Sequence, residues 1–240
     1  MKKLFLQVFM LILAISGCSN NLERTSGEFS VSETKKVYFS RSNLQYNKKN
    51  KTYFFSNSQY KVFTSNNDTT DLFEYKGYEN FFNEGCQWRL LTAQEWTFLL
   101  FERQNAFNLS TFATINSKKG FLLLPDDFKL SKTLKIKTLA ETKTKKVSDK
   151  ETTLDKKVDL FLTNNFNTSE WEELEKLGAV FLPFSGKKIK NNSPFYDEGA
   201  YWIDSEEEHY ATFSSQYYSS YCGCCKNVCS FSVRLVVDTK

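Results

Sequence analysis

Between Gly178 and Val237 three short apolar segments stand in order around a run that is not apolar, and this limits the fold more than any other feature of the chain. Gly178-Ala179-Val180-Phe181-Leu182-Pro183-Phe184-Ser185-Gly186, Glu198-Gly199-Ala200-Tyr201-Trp202 and Ser232-Val233-Arg234-Leu235-Val236 have the length and the aromatic or β-branched content of core strands. Ser214 to Ser230, rich in Tyr, Ser and Cys, packs poorly into any regular pattern and is expected to be a displayed loop, a strand pair with Tyr on its outer side being the alternative.

The rest of the chain supplies elements for these strands to pack on. Lys36 to Tyr46 predicts a strand, a turn and a strand continuation, Tyr53 to Phe55 the next strand, and Ser58-Gln59-Tyr60 the close of that hairpin. Thr64 to Glu84 is a polar loop carrying the isolated aromatics Phe73, Tyr75, Tyr78, Phe81 and Phe82, some of them expected to turn inward. Thr92 with Glu95 forms a capping box, and Trp96, Leu99, Leu100 and Arg103 recur at helical spacing, so a helix runs from Thr92 to about Gln104. Phe121 to Leu124 is a buried strand stopped by Pro125. Lys129 to Lys157 mixes Lys, Thr, Glu and Asp without a clear period and is expected to be a solvated, Lys-rich insertion. A second helix starts at a capping box of Ser169 with Glu172, carries Trp171, Leu174 and Leu177 on its inner side, and stops at Gly178.

Strands, a helix, a strand, a helix and then short strands predict an α+β domain with two helices and several short antiparallel strands. The 23 Phe and 12 Tyr against 12 Gly and Pro exclude a disordered or collagen-like chain. A formal charge of +4, with lysines scattered or gathered in loops, argues against a nucleic-acid partner.

Lys2 and Lys3, the apolar run Leu4 to Ile15, and Ile15-Ser16-Gly17-Cys18 resemble a bacterial lipoprotein signal peptide with its lipobox. The resemblance implies a leader over residues 1–17, acylation of Cys18, a flexible tether over 18–35 and a domain over 36–240. The membrane partner is then the lipid on Cys18, at the bacterial outer membrane or cell surface.

Several motifs fall in one order: Val37-Tyr38-Phe39-Ser40 with Asn43-Leu44-Gln45-Tyr46, Trp88-Arg89-Leu90-Leu91-Thr92 with Glu95-Trp96, Leu123-Leu124-Pro125-Asp126-Asp127, Gly178 to Pro183, Gly199-Ala200-Tyr201-Trp202, and Ser232 to Val236. Together they resemble the surface lipoproteins of Bacteroidetes type whose domain is similar to the formylglycine-generating enzyme, or sulfatase-modifying factor. That fold is a variant of the C-type lectin fold. The enzymes of that superfamily carry a copper-binding cysteine pair in an Arg-Gly-Gly-Ser-Trp frame, which this chain lacks, and the lectins' Glu-Pro-Asn and Gln-Pro-Asp calcium loops are also missing. The resemblance therefore implies the scaffold without its catalysis, and no cofactor is expected.

Candidate ligand contacts are Tyr217, Tyr218, Ser219, Ser220 and Tyr221, whose ring and hydroxyl composition matches that of binding loops, together with Trp202 and His209. His209 is the one histidine, beside Asp204, Glu206, Glu207 and Glu208; no nucleophile stands beside it at a recognised spacing, and the acidic cluster is expected to be a solvated turn. Cys222, Cys224, Cys225 and Cys229 suit a thiolate metal site in residue type, but four ligands on one short loop are unusual; disulfides within the loop or with Cys86 are the other outcome. The residue types of Ser214 to Ser232 are also those reached by adenine-directed codon change, and retroelements diversify lectin-fold lipoproteins in this region, so a diversified receptor is implied; an AT-rich genome gives the same composition. The expected function is a surface-anchored, non-catalytic module binding a protein or glycan. The alternatives are an oxidase derivative using the cysteines and a structural subunit of the envelope.

Overall fold

The computed structural model describes residues 26–62, 68–82, 87–129, 134–142, 144–154, 158–189, 197–223 and 229–239. The leader, Cys18, Cys86, Cys224 and Cys225 lie outside them. The chain opens with β1 (Phe29–Ser30), β2 (Lys36–Phe39), β3 (Leu44–Asn47) and β4 (Thr52–Phe55), then two short strands, β5 (Thr69–Thr70) and β6 (Phe73–Glu74). A single turn, α1 (Glu79–Phe82), precedes α2 (Ala93–Thr97), which runs on as a π-helical turn over Phe98–Glu102. The hairpin β7 (Ser110–Ile115) and β8 (Lys118–Leu123) is followed by β9 (Thr144–Ser148), β10 (Glu151–Leu154), α3 (Leu160–Thr163), β11 (Asn165–Phe166) and α4 (Thr168–Lys176). The last part contains β12 (Val180–Pro183), β13 (Lys188–Ile189), β14 (Glu198–Trp202), β15 (His209–Ser214), β16 (Tyr217–Gly223), β17 (Cys229–Phe231) and β18 (Val236–Asp238).

The architecture is α+β, with five small sheets in which every pairing but β11 with β7 is antiparallel. The two expected helices are present as α2 and α4, and the single turns α1 and α3 are additional. The largest sheet runs β14-β15-β16-β10-β9 and a second runs β11-β7-β8-β12. Rings from both meet in the core, with Phe121 of β8 stacked on Phe213 of β15 at 4.6 Å and Trp96 of α2 at 6.0 Å from Phe213. The capping box places α2 there: Glu95 N–H donates to Thr92 Oγ1 at 3.2 Å, and Thr92 N–H donates to Glu95 Oε2 at 2.9 Å.

Five boundaries differ from the sequence-based expectations; one is Ser232 to Val236, expected as a core strand, of which only Val236 lies in a strand, β18. The domain begins before residue 36, because Phe29 and Val31 are buried, β1 pairs with β2, and Ser30 N–H donates to Asp126 Oδ2 at 2.9 Å. Two apolar side chains in an otherwise polar stretch suffice to dock it. The α4 cap is Asn167, whose side chain accepts from Glu170 N–H at 3.0 Å while Glu170 accepts from Asn167 N–H at 2.9 Å; Ser169 and Glu172 lie inside the helix. Leu177 follows the last helical residue and is 38% exposed, so it leaves the inner stripe. The insertion is not wholly a solvated loop: β9 and β10 form a hairpin that pairs with β16 and covers what would otherwise be a bare sheet edge.

Gly178 shows why α4 ends where it does. Its φ of +89° is a left-handed stop, and a Cβ there would lie 2.4 Å from the Gly27 nitrogen. Gly27 N–H donates to Gly178 O at 2.9 Å, fastening the start of the domain to the end of the helix. Gln59, expected to close a hairpin, is instead buried: it accepts from Phe181 N–H at 2.9 Å and from Arg234 Nη2 at 2.6 Å.

Candidate functional site

The meander β14-β15-β16 carries all seven of the ligand contacts expected from the sequence, but turns five of them away from solvent, His209 included at 9% exposed. Tyr218 is fully buried and stacks on Phe101 at 5.3 Å; Ser220 is buried with its hydroxyl 2.8 Å from Thr97 Oγ1; Ser219 is 2% exposed. Trp202 is also buried, donating from Nε1 to Phe73 O at 2.7 Å and packing on Phe231 at 4.5 Å. These are corrections. Residues 217–223 form a strand between β15 and β10, so Tyr218, Ser219 and Ser220, expected on a loop, are buried one after another, while Trp202 is covered on β14.

Tyr217, Tyr221 and His209 keep a different position. The β15–β16 register slips between Tyr210 and Thr212, and Tyr221 N–H donates to Ser219 Oγ at 3.3 Å. This bulge re-aims the half-buried Tyr221 ring onto His209. The two rings stack at 4.2 Å, and Tyr221 Oη lies 2.6 Å from His209 Nε2. Lys150 Nζ sits 4.6 Å from the Tyr221 ring centre on the β9–β10 hairpin side, a cation–π contact. Glu207 Oε2 lies 3.4 Å from Nε2 and Ser205 Oγ 3.5 Å from Nδ1. Every polar atom of the His209 ring thus faces its own turn or Tyr221.

The turn between β14 and β15 is a closed unit. Asp204 N–H donates to Leu91 O at 2.9 Å, His209 N–H to Glu207 O at 2.8 Å, and Ile203 N–H to His209 O at 3.3 Å. Its other side forms one wall of a groove of about 510 Å³. Asp204 and Glu206 stand on that wall; Tyr75, Tyr78, Phe82 and Trp88 supply the rings opposite. Tyr75 Oη donates to Ser205 O at 2.9 Å and its ring lies 5.4 Å from Trp202, which ties the aromatic wall to the turn. Ser205 therefore joins the groove to His209 and Tyr221.

Tyr78 is 5% exposed, and burial, then Tyr75, Asp204 and Glu79, push its phenol well above the usual tyrosine value. It stays protonated. The positive groups are already matched: Arg89 donates to Glu95 Oε2 at 2.7 Å and to Asp238 Oδ1 at 2.6 Å, and Lys76 lies 3.6 Å from Glu79. Phe73, Tyr75, Tyr78, Phe81 and Phe82 stand in the sequence as isolated aromatics. Their spacing in a polar stretch was a usable signal for a partly inward wall, but not for its partner turn.

Of the cysteines, Cys222 and Cys229 are described. Cys229 is disulfide-bonded, which removes one thiolate from the four-ligand alternative. The Cys222 thiol is free, and burial first, with Glu151 and Glu198 adding, raises it above the ordinary thiol value despite the opposing Ser219 hydrogen bond and Lys187 charge. A raised thiol is a weaker nucleophile at neutral pH. On the same side of β16, burial followed by Glu198 and Cys222 raises Tyr217. Among the described residues no helix is long and apolar enough to cross a membrane. Comparison with protein-family models, curated proteins and solved structures finds no match to this chain.

Proposed function

We propose that this is a non-catalytic binding module, displayed at the bacterial outer membrane or cell surface by a lipid on Cys18, on a scaffold of the C-type lectin-like and sulfatase-modifying-factor type. The observation that carries the binding reading is the groove beside the 204–209 turn: four aromatic side chains face two carboxylates across a preformed space. Clefts that combine ring surface with a few fixed polar groups are the ordinary form of a recognition site. Ser205 links this groove to the His209–Tyr221 stack. The scaffold reading is supported by the ordered motifs and by their meeting in space, since β2 near the start of the domain pairs with β18 at its end. Ligands of this module are a protein or a glycan.

The cysteines favour binding over oxidase chemistry. One described member of the cluster is held in a disulfide and the other is a half-buried thiol raised above its usual value.

The test is a screen of the chain from Ser19 to Lys240 against glycan and surface-protein arrays, repeated with Trp88→Ala and with Tyr221→Ala. The expected result is a reproducible hit lost in Trp88→Ala and weakened in Tyr221→Ala. Hits that survive both changes unaltered place recognition elsewhere and overturn the site.

A further inference from the structure

We propose that the groove takes a basic peptide segment, with a lysine or arginine side chain lying against Trp88, Tyr78 and Phe82 and its charge facing Asp204 and Glu206. This rests on the groove being the binding surface and specifies what it binds.

Arg89 is saturated by Glu95, Asp238 and Leu90 O, and Lys76 by Glu79. Asp204 and Glu206 are exposed, and among the described residues neither side chain has a hydrogen bond or ion pair. Tyr78 is 95% buried in the groove wall, with a hydroxyl that makes no hydrogen bond among the described residues. The open polar sites of the groove are therefore two carboxylates and a phenol oxygen.

A guanidinium or ammonium has only donors to offer, so it complements these acceptors, and the ring faces attract a cation through their quadrupoles. The aromatic wall already does this at its rim, where Lys76 Nζ lies 5.6 Å from the Tyr75 ring centre. A phosphate or carboxylate ligand would meet like charge on Asp204 and Glu206. A neutral glycan would use the rings and leave both charges without a counterpart.

Trp88 provides a local reporter. It is the one tryptophan of the four that is not buried, since Trp96, Trp171 and Trp202 are each 1% exposed. The full chain in nonionic detergent is titrated with a Gly-Arg repeat hexapeptide, the same peptide with citrulline for arginine, spermidine and chitohexaose, while the four indole N–H resonances are followed.

The arginine peptide is expected to move the Trp88 resonance saturably and the others little, with the citrulline peptide at least about tenfold weaker, as for loss of a desolvated charge contact. Asp204→Asn with Glu206→Gln, changes at exposed and near-isosteric positions, is expected to weaken the arginine peptide by about tenfold or more while the three buried indole signals stay in place. Equal response to the arginine and citrulline peptides, an unaltered affinity in the double variant, or silence of Trp88 toward the arginine peptide overturns the proposal. Spermidine binding as tightly as the peptide overturns a peptide source for the cation. A Trp88 response to chitohexaose but not to the arginine peptide overturns the cation while leaving the groove as the binding surface.

Discussion

Replacing Phe29 with alanine tests whether the chain before Lys36 is part of the domain. Phe29 is fully buried, packs edge-on against Phe39 at 5.1 Å, and lies 5.6 Å beneath the Arg103 guanidinium. Truncating a buried phenylalanine costs about 3–5 kcal/mol. The cation–π contact accounts for about 1 kcal/mol of it, because Arg103 is itself buried, held by Asp126 at 3.2 Å and brought down to about 10 by burial against the opposing pull of that carboxylate. A loss of about 4 kcal/mol is expected. With a urea slope of about 2.5 kcal/mol per molar for a chain of this size, the unfolding midpoint falls by about 1.6 M. The assay is urea unfolding followed by near-UV circular dichroism, with Glu33→Ala at an exposed position as the control, expected to stay within about 0.5 kcal/mol of the parent. A Phe29→Ala midpoint indistinguishable from that control would show that residues 26–35 are a tether after all.

Two further outcomes follow from the same geometry, and a third from the proposed lipid anchor. Burial raises the Glu95 carboxyl, but hydrogen bonds from Arg89 and from Thr92 N–H outweigh it and hold it below the usual carboxylate range; its stabilisation is full above about pH 4.3 and is lost as pH falls through the lower folded value. Glu95→Gln is therefore expected to cost about 2 kcal/mol at pH 7 by urea unfolding, with the gap to the parent closing below about pH 4. Gly178→Ala is expected to cost at least about 1–2 kcal/mol from the left-handed backbone alone, with further loss from the 2.4 Å approach to Gly27, read as a lowered melting temperature. Cys18→Ser is expected to move the protein from the detergent phase to the aqueous phase on phase separation and to remove the acyl mass from its N-terminal peptide; an unchanged partition would refute anchorage at that residue.

The fold was legible where local chemistry and long-range packing agree. Thr92 with Glu95, Trp96 and Leu100, Gly178, and the apolar runs of β8, β12 and β14 carry their own signals, and each stands where the sequence places it. Ser214 to Gly223 was legible only as a displayed loop or as a strand pair with its tyrosines outward, because its inner face includes Tyr218 and Ser220. The rings of Phe101 and Phe121 and the hydroxyl of Thr97, all distant in sequence, turn those polar atoms into core residues. The β9–β10 hairpin was hidden for a related reason: its Lys and Thr composition is that of a solvated edge, and only the partner strand β16 makes it regular. At the site, His209 and Tyr221 were recognised separately by residue type, whereas their stack depends on a bulge that no spacing rule encodes. The groove required Tyr75, Tyr78, Phe82 and Trp88 to meet residues 204–206 across more than a hundred positions.

The most direct test of the binding surface is the indole N–H spectrum of the protein titrated with any ligand that the arrays return. The account predicts that Trp88 moves first and furthest, with a midpoint equal to the binding constant measured by calorimetry, and that the response is lost when Asp204 and Glu206 are neutralised if the ligand is cationic. Saturable binding by calorimetry with the Trp88 resonance unmoved would contradict the claim that the groove beside the 204–209 turn is where this protein makes contact.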